Sequence, residues 1–281
     1  MDKKKYWAFG IVGLVFVILF SYLVHLSILW WINEPQIPIY MYHAISENPR
    51  KGNKEMYVTP KDFEAHLIHL KEEGYDAVFA DEIKDITGYD RKVIITFDDG
   101  YTDNYTVAYP ILKKYNMKAT IFVIADRIGT DGYMTEKQLK ELADSGIISI
   151  QSHSDTHINL IDLPENSLIK ELKRSKEKIS EITGKEVNVI SYPGGRYNEY
   201  VIKNTKKYYD YGYAVHCMDD GDRFYEIERC GVYRSEEDWG IEGSIVEESQ
   251  TRLQKLKDDK NSGKKIGVFK SIILWLYYEY C

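Results

Sequence analysis

The chain reads as an α/β protein: a parallel sheet of seven or eight strands closed toward a barrel, preceded by one membrane-spanning helix. Three observations predict this. Short β-rich runs alternate with helical patterns of roughly 10–20 residues, as a parallel sheet with crossover helices requires. Two of the strand-like runs end in chemistry-bearing residues: Val93-Ile94-Ile95-Thr96-Phe97 leads into Asp98-Asp99-Gly100, and residues 146–150 lead toward His153 and His157. Groups that act on ligands stand at such strand ends in α/β proteins. The length, 281 residues, holds one barrel-sized domain and an appendage.

In chain order, residues 6–32 contain no Asp, Glu, Lys or Arg and are long enough to cross a bilayer as a tilted helix. Lys3, Lys4 and Lys5 precede this stretch and Glu34 follows it, so the positive-inside rule puts the N-terminus in the cytoplasm. Tyr6, Trp7, Trp30 and Trp31 mark its two ends as an aromatic belt, and no small-x-small cleavage site follows Leu29. The expectation is an uncleaved anchor in residues 1–33 and an extracellular domain in residues 34–281, at the cell membrane. His25, alone inside the anchor, is read as incidental.

Residues 37–45 form an apolar strand that carries His43 at its end. Thr59 then caps a helix, with Pro60 at its first position and Asp62 in its first turn, stopping at Gly74. His66 and His69 on it read as ordinary helix-face residues. Residues 77–80 form a short strand. A helix over 103–115 should kink at Pro110. A strand at 119–125, a helix at 136–145 and the strand before His153 follow. Residues 163–183 make a long amphipathic helix closed by Gly184, its charged face read as solvated. A strand over 187–192 precedes Pro193-Gly194-Gly195; a helix over 199–209, a strand over 211–215 and a strand over 227–233 carrying Arg229 complete the alternation. Residues 244–257 read as a polar amphipathic helix. The apolar tail, 266–281, reads either as a last barrel element or as a membrane-surface segment.

The net charge of −7 argues against a nucleic-acid partner, which wants a basic footprint. Cys217, Cys230 and Cys281 have neither CxxC nor Cys/His spacing and make no disulfide framework; Cys217 and Cys230 could pair, without anything in the sequence requiring it. Twenty-four tyrosines could stack on sugars or simply fill core and surface.

Two adjacent carboxylates, Asp98 and Asp99, repel, and a bound cation relieves the repulsion. Two histidines four apart, His153 and His157, present imidazoles to one ion either on a helical turn or from a folded loop. A carboxylate after one strand and a histidine pair after another make the donor set of a catalytic divalent metal with positions left open.

Thr96-Phe97-Asp98-Asp99-Gly100, followed by His153-Ser154-Asp155-Thr156-His157 and by Ser191-Tyr192-Pro193-Gly194-Gly195, resembles the first three motifs of the NodB-type polysaccharide deacetylases, carbohydrate esterase family four, over residues 37–235. The resemblance implies a distorted β/α barrel and metal-dependent removal of acetyl groups from N-acetylated sugars. It implies that Asp99, His153 and His157 hold a divalent ion, zinc by expectation, and that Asp98 is the base. Backbone N–H groups from Tyr192 through Pro193 and Gly194 to Gly195 are expected at the oxyanion. The family's late L-x-x-H motif is missing: none of the seven histidines lies in the last 65 residues. His43, on its Tyr-Met-Tyr-His strand, resembles that motif moved to the front, as in the circularly permuted deacetylases of exported poly-N-acetylglucosamine, and is the expected general acid. Arg229 is either a replacement for the third motif's arginine, paired with Asp98, or a surface residue. Asp238-Trp239 shares too little with the fourth motif to assign. The expected substrate is an N-acetylated polysaccharide outside the membrane: poly-N-acetylglucosamine, peptidoglycan or a related wall glycan. The alternatives are an O-acetyl esterase and a catalytically silent, membrane-tethered sugar-binding module.

Overall fold

A computed structural model of the protein describes residues 20–23, 37–48, 56–86, 91–215 and 224–232. Contacts divide the chain into a body, Ile37–Trp239, and a second unit, Met1–Gln36 with Gly240–Cys281. Of the second unit only residues 20–23 are described, as helix. The expected anchor otherwise lies outside the described residues, as do the expected helix at 244–257 and the tail. Among the described residues no helix is long and apolar enough to cross a membrane.

The body runs β1 (Ile39–Tyr42), β2 (Ala44–Ile45), β3 (Tyr57–Val58), α1 (Pro60–Glu72), β4 (Asp76–Val78), β5 (Lys92–Phe97), α2 (Tyr109–Tyr115), β6 (Ala119–Val123), α3 (Glu136–Asp144), β7 (Ile148–Ser152), α4 (Glu165–Thr183), β8 (Val189–Ser191), α5 (Glu199–Thr205), β9 (Tyr211–Tyr213) and β10 (Cys230–Gly231). The main sheet has eight strands in the order β10-β1-β5-β6-β7-β8-β9, with β4 beside the first half of β5. Every pair in it is parallel. The sheet curls in the manner of a distorted β/α barrel. Its two ends share one segment: Ile227 bridges to Tyr213 of β9, while Cys230 and Gly231 pair with Tyr40 and Met41 of β1. The strand expected over 227–233 is therefore short, because the chain crosses between two sheet edges there.

Side-chain alternation along β5 sorts its residues between two cores. Val93, Ile95 and Phe97 join the layer beneath the helices, with Leu67, Leu112 and Leu139. Ile94 points into the curl, among Ile39, Phe122, Val189, Tyr213 and Ile227. Thr96 and Asp98 continue that inner face by the same period of two.

Local signals hold closely in α1. Thr59 Oγ1 accepts the Asp62 N–H at 3.1 Å, and Gly74 beyond the helix has φ 79°. The helix expected over 103–115 instead opens as a π turn, Asn104–Ala108, with the Tyr109 N–H reaching the Asn104 carbonyl. Pro110 explains the change: it has no N–H to give the carbonyl of Thr106, so an α ladder cannot run through this point.

His66, read as an ordinary residue of the helix face, lies on the face turned to the core. It is buried, and its Nδ1 shares a hydrogen bond with the Tyr42 hydroxyl. Burial lowers its pKa from 6.5 to about 4. The unfolded chain therefore binds a proton between these values that the folded chain does not, so stability is lost as pH falls below 6.5. At pH 5 this one group costs about 2 kcal/mol. Thermal melts should show a smaller loss of Tm between pH 7 and pH 5 in His66→Gln than in the wild type. An unchanged loss would remove His66 from the acid sensitivity of the fold.

Candidate active site

The parallel strands deliver their C-terminal ends to one place. Asp98 and Asp99 follow β5, His153 follows β7, Ser191 ends β8, and His43 follows β1. The Asp98 N–H donates to the Tyr42 carbonyl at 2.9 Å, which sets His43 beside Asp98 in the ladder. The Asn104 side-chain amide holds the His43 carbonyl at 2.8 Å. His43 is buried, and its Nδ1 has no hydrogen-bond partner among the described residues. Burial lowers its pKa, while Asp98 and Asp99 pull the other way.

Asp98 is buried and paired with Arg229. Its Oδ1 and Oδ2 accept from the two terminal nitrogens of Arg229, both at 2.7 Å, and the Ser191 hydroxyl donates to Oδ2 at 3.2 Å. Arg229 spends its remaining donors on the Ala214 carbonyl, Thr96 Oγ1 and Ser191 Oγ. Its guanidinium sits 5.4 Å over the Phe122 ring. Of the two readings open for Arg229, the structure selects the partner of Asp98. Burial would push the Asp98 carboxyl up, but Arg229 and His153 hold it well below the usual carboxylate range.

Asp99, His153 and His157 each turn one ligand atom inward, and these atoms lie within 4.8 Å of one another. The Asp99 carboxylate stands 3.6 Å from His153 Nε2 and 3.7 Å from His157 Nε2, too far for a hydrogen bond and close enough to share an ion. His153 Nδ1 meets the Ser191 carbonyl at 2.8 Å. That contact fixes the proton on Nδ1 and leaves Nε2 as a free lone pair. Burial also lowers the His153 pKa, which favours the neutral ligand form. One carboxylate and two neutral imidazoles suit a borderline divalent ion.

Of the two arrangements open for the histidine pair, the structure has the folded loop, and its backbone is unusual. Among the described residues four non-glycines have positive φ, and three are here: Asp99 (73°), Ser154 (62°) and His157 (62°). Left-handed backbone costs an L-residue about 1–2 kcal/mol, least for Asp and Asn. Gly100 follows at φ 81°, where a Cβ would come within 2.8 Å of Val123.

The expected oxyanion segment is corrected in part. Pro193 has no N–H. The Tyr192 N–H donates to the Tyr213 carbonyl and the Gly195 N–H to the Tyr192 carbonyl, both at 2.9 Å. At most the Gly194 N–H is left for an oxyanion. The Tyr192 side chain is fully buried and packs under Gly212. Gly195 is there for space: a Cβ would lie 2.7 Å from Val215.

The charged face of α4 is corrected as well. Glu171 accepts from the backbone N–H groups of Asp155 and Thr156, and Arg174 approaches Asp155 at 3.4 Å. The site therefore has partners that the motifs did not mark. His157→Asn keeps a residue that tolerates left-handed backbone while removing a ligand. Its metal-free Tm should equal or slightly exceed that of the wild type, while the Tm rise on adding a divalent ion disappears. A large metal-free destabilisation would contradict the strain at His157.

Comparison with known proteins bears on the same residues. The sequence profile described as polysaccharide deacetylase matches residues 85–214. The polysaccharide deacetylase homologue YxkH of Bacillus subtilis is 44% identical over 177 residues, 61% of this chain. A poly-beta-1,6-N-acetyl-D-glucosamine N-deacetylase of Staphylococcus epidermidis is 30% identical over 179 residues, 56% of this chain. The chain spans 61% of the length of each of these two relatives. The crystal structure of a polysaccharide deacetylase homologue from Bacillus anthracis superposes with a TM-score of 0.67 at 31% identity, covering 78% of this chain and 69% of its own. With the parallel curl, the Asp98–Arg229 pair and the Asp99, His153 and His157 cluster beneath these matches, the chain belongs to the polysaccharide deacetylase family.

Proposed function

We propose that the protein is a metal-dependent deacetylase that hydrolyses N-acetyl groups of an extracellular polysaccharide. The observation that carries this reading is the convergence of the Asp99, His153 and His157 ligand atoms beside an Asp98 carboxylate kept ionised by Arg229. The match to a Staphylococcus epidermidis poly-N-acetylglucosamine deacetylase supports poly-N-acetylglucosamine or a related wall glycan as substrate. The apolar stretch 6–32 behind three lysines supports a membrane anchor with the N-terminus inside and the site outside.

In this reading a divalent ion, zinc by the chemistry of its donors, supplies Lewis-acid activation of water and of the acetyl carbonyl when bound. Asp98 accepts the proton of the attacking water. Arg229 and Ser191 hold the carboxylate ionised and aimed while it does so. His43 gives a proton to the departing sugar amine, returning the nitrogen as a free amine. Its buried Nδ1, without a partner among the described residues, leaves the ring polar capacity to spend on substrate. The Gly194 N–H is the remaining backbone donor for the tetrahedral oxyanion.

Acetate release from N-acetylglucosamine oligomers by the full-length protein tests this. Release should stop with a chelator, return with zinc, and fall by about 10²–10⁴-fold in Asp98→Asn and in His43→Ala. Release that survives His43→Ala would keep the enzyme and remove this acid. Oligomer binding without release under any metal would leave a sugar-binding module.

A further inference from the structure

In the loop that carries both histidine ligands the His153 N–H and the Ser154 and Asp155 carbonyls pair with the backbone of residues 123–126, whereas the next four amides turn to side-chain oxygens. The Ser154 N–H donates to Ser152 Oγ at 3.2 Å and the His157 N–H to Ser154 Oγ at 3.0 Å. The two between them, of Asp155 and Thr156, both donate to Glu171 Oε2, at 3.1 and 2.9 Å. Glu171 Oε1 also accepts from the Thr156 hydroxyl at 2.8 Å. Two of the accepting groups are therefore serine hydroxyls of the loop or its strand, and the third is a carboxylate from a distant helix. One turn further along α4, Ser175 Oγ accepts from Ser152 Oγ at 2.9 Å, so the same face of the helix also holds the end of β7.

We propose that Glu171 is a positioning residue for the metal centre: its carboxylate holds the turn at Asp155 and Thr156 so that His153 and His157 face one ion. The proposal rests on the metal-dependent reading above. Without this acceptor, two amides would lose their partner inside a turn already carrying left-handed residues at Ser154 and His157. Such a turn relaxes toward ordinary backbone, and the two imidazoles separate. Hydrogen bonds behind metal ligands are typically worth about 10–100-fold in affinity.

The test is zinc affinity of the full-length protein by competition with a chromophoric chelator, with Tm as a check on folding, for Glu171→Ala, Glu171→Gln and Glu171→Asp. Ala should bind zinc about 10–100-fold more weakly. Gln, which keeps a carbonyl oxygen at the same reach, should stay close to the wild type. Asp, one methylene short, should resemble Ala although it keeps the charge. Should Ala fail to fold, the order of Gln above Asp decides alone. Equal affinity in Ala and wild type would overturn the proposal, and Asp binding better than Gln would replace positioning by a simple charge effect. A wild-type chain that binds no divalent ion would overturn the metal-dependent reading and this proposal together.

Discussion

The buried ion pair between Asp98 and Arg229 is the interaction on which the rest of the structure depends. Taking two charges out of water costs several kcal/mol per ion, and their attraction offsets this only if every remaining donor and lone pair is used. Arg229 meets that condition through five contacts on three strands: Asp98 and Thr96 at β5, Ser191 at β8 and the Ala214 carbonyl just past β9. Phe122 of β6 forms the floor. None of these contacts survives if the sheet opens, because Arg229 lies on the segment that joins β9 to β1. The curl of the sheet and the ionisation of the carboxylate are thus one constraint seen from two sides.

Around that fixed point the site is built from backbone that would not choose its own conformation. Asp99, Ser154 and His157 all have positive φ, at a cost of about 1–2 kcal/mol each. Side-chain oxygens from Ser152, Ser154 and Glu171 satisfy the amides that this geometry leaves open. The rigid strands set where the loops begin; the hydrogen bonds set how the loops turn. Three ligand atoms that converge without bonding one another are the product of both.

Much of this was legible in the sequence, for reasons particular residues make plain. The run from Val93 to Gly100 has one reading as a buried strand ending in carboxylates, and the fold has that strand. His43 could be proposed only through the resemblance of its strand to the late motif moved to the front; that β1 lies beside β5, with the Tyr42 carbonyl on the Asp98 N–H, is shown by the fold. Arg229 stayed open between two readings because a lone arginine on a strand looks the same buried or exposed; only the crossing of the segment between β9 and β1 decides. Glu171 was not legible at all. In an amphipathic helix its spacing equals that of any solvated glutamate, and its partners lie 15 and 16 residues away in a loop whose turn depends on it. The partner of His66 was hidden for the same reason, since Tyr42 comes from another element. The oxyanion segment was read from glycines and a proline, but which N–H groups are spent internally is settled by packing against β9.

The most direct measurement is a double-mutant cycle on stability with Asp98→Asn, Arg229→Met and the pair combined, by denaturant unfolding of the full-length protein at neutral pH. Arg229→Met alone leaves a buried carboxylate without its partner and should cost about 3–5 kcal/mol; the double variant should cost clearly less than the two singles together. Additive losses, within about 0.5 kcal/mol, would mean that the two residues act independently and that the structure does not rest on their pairing.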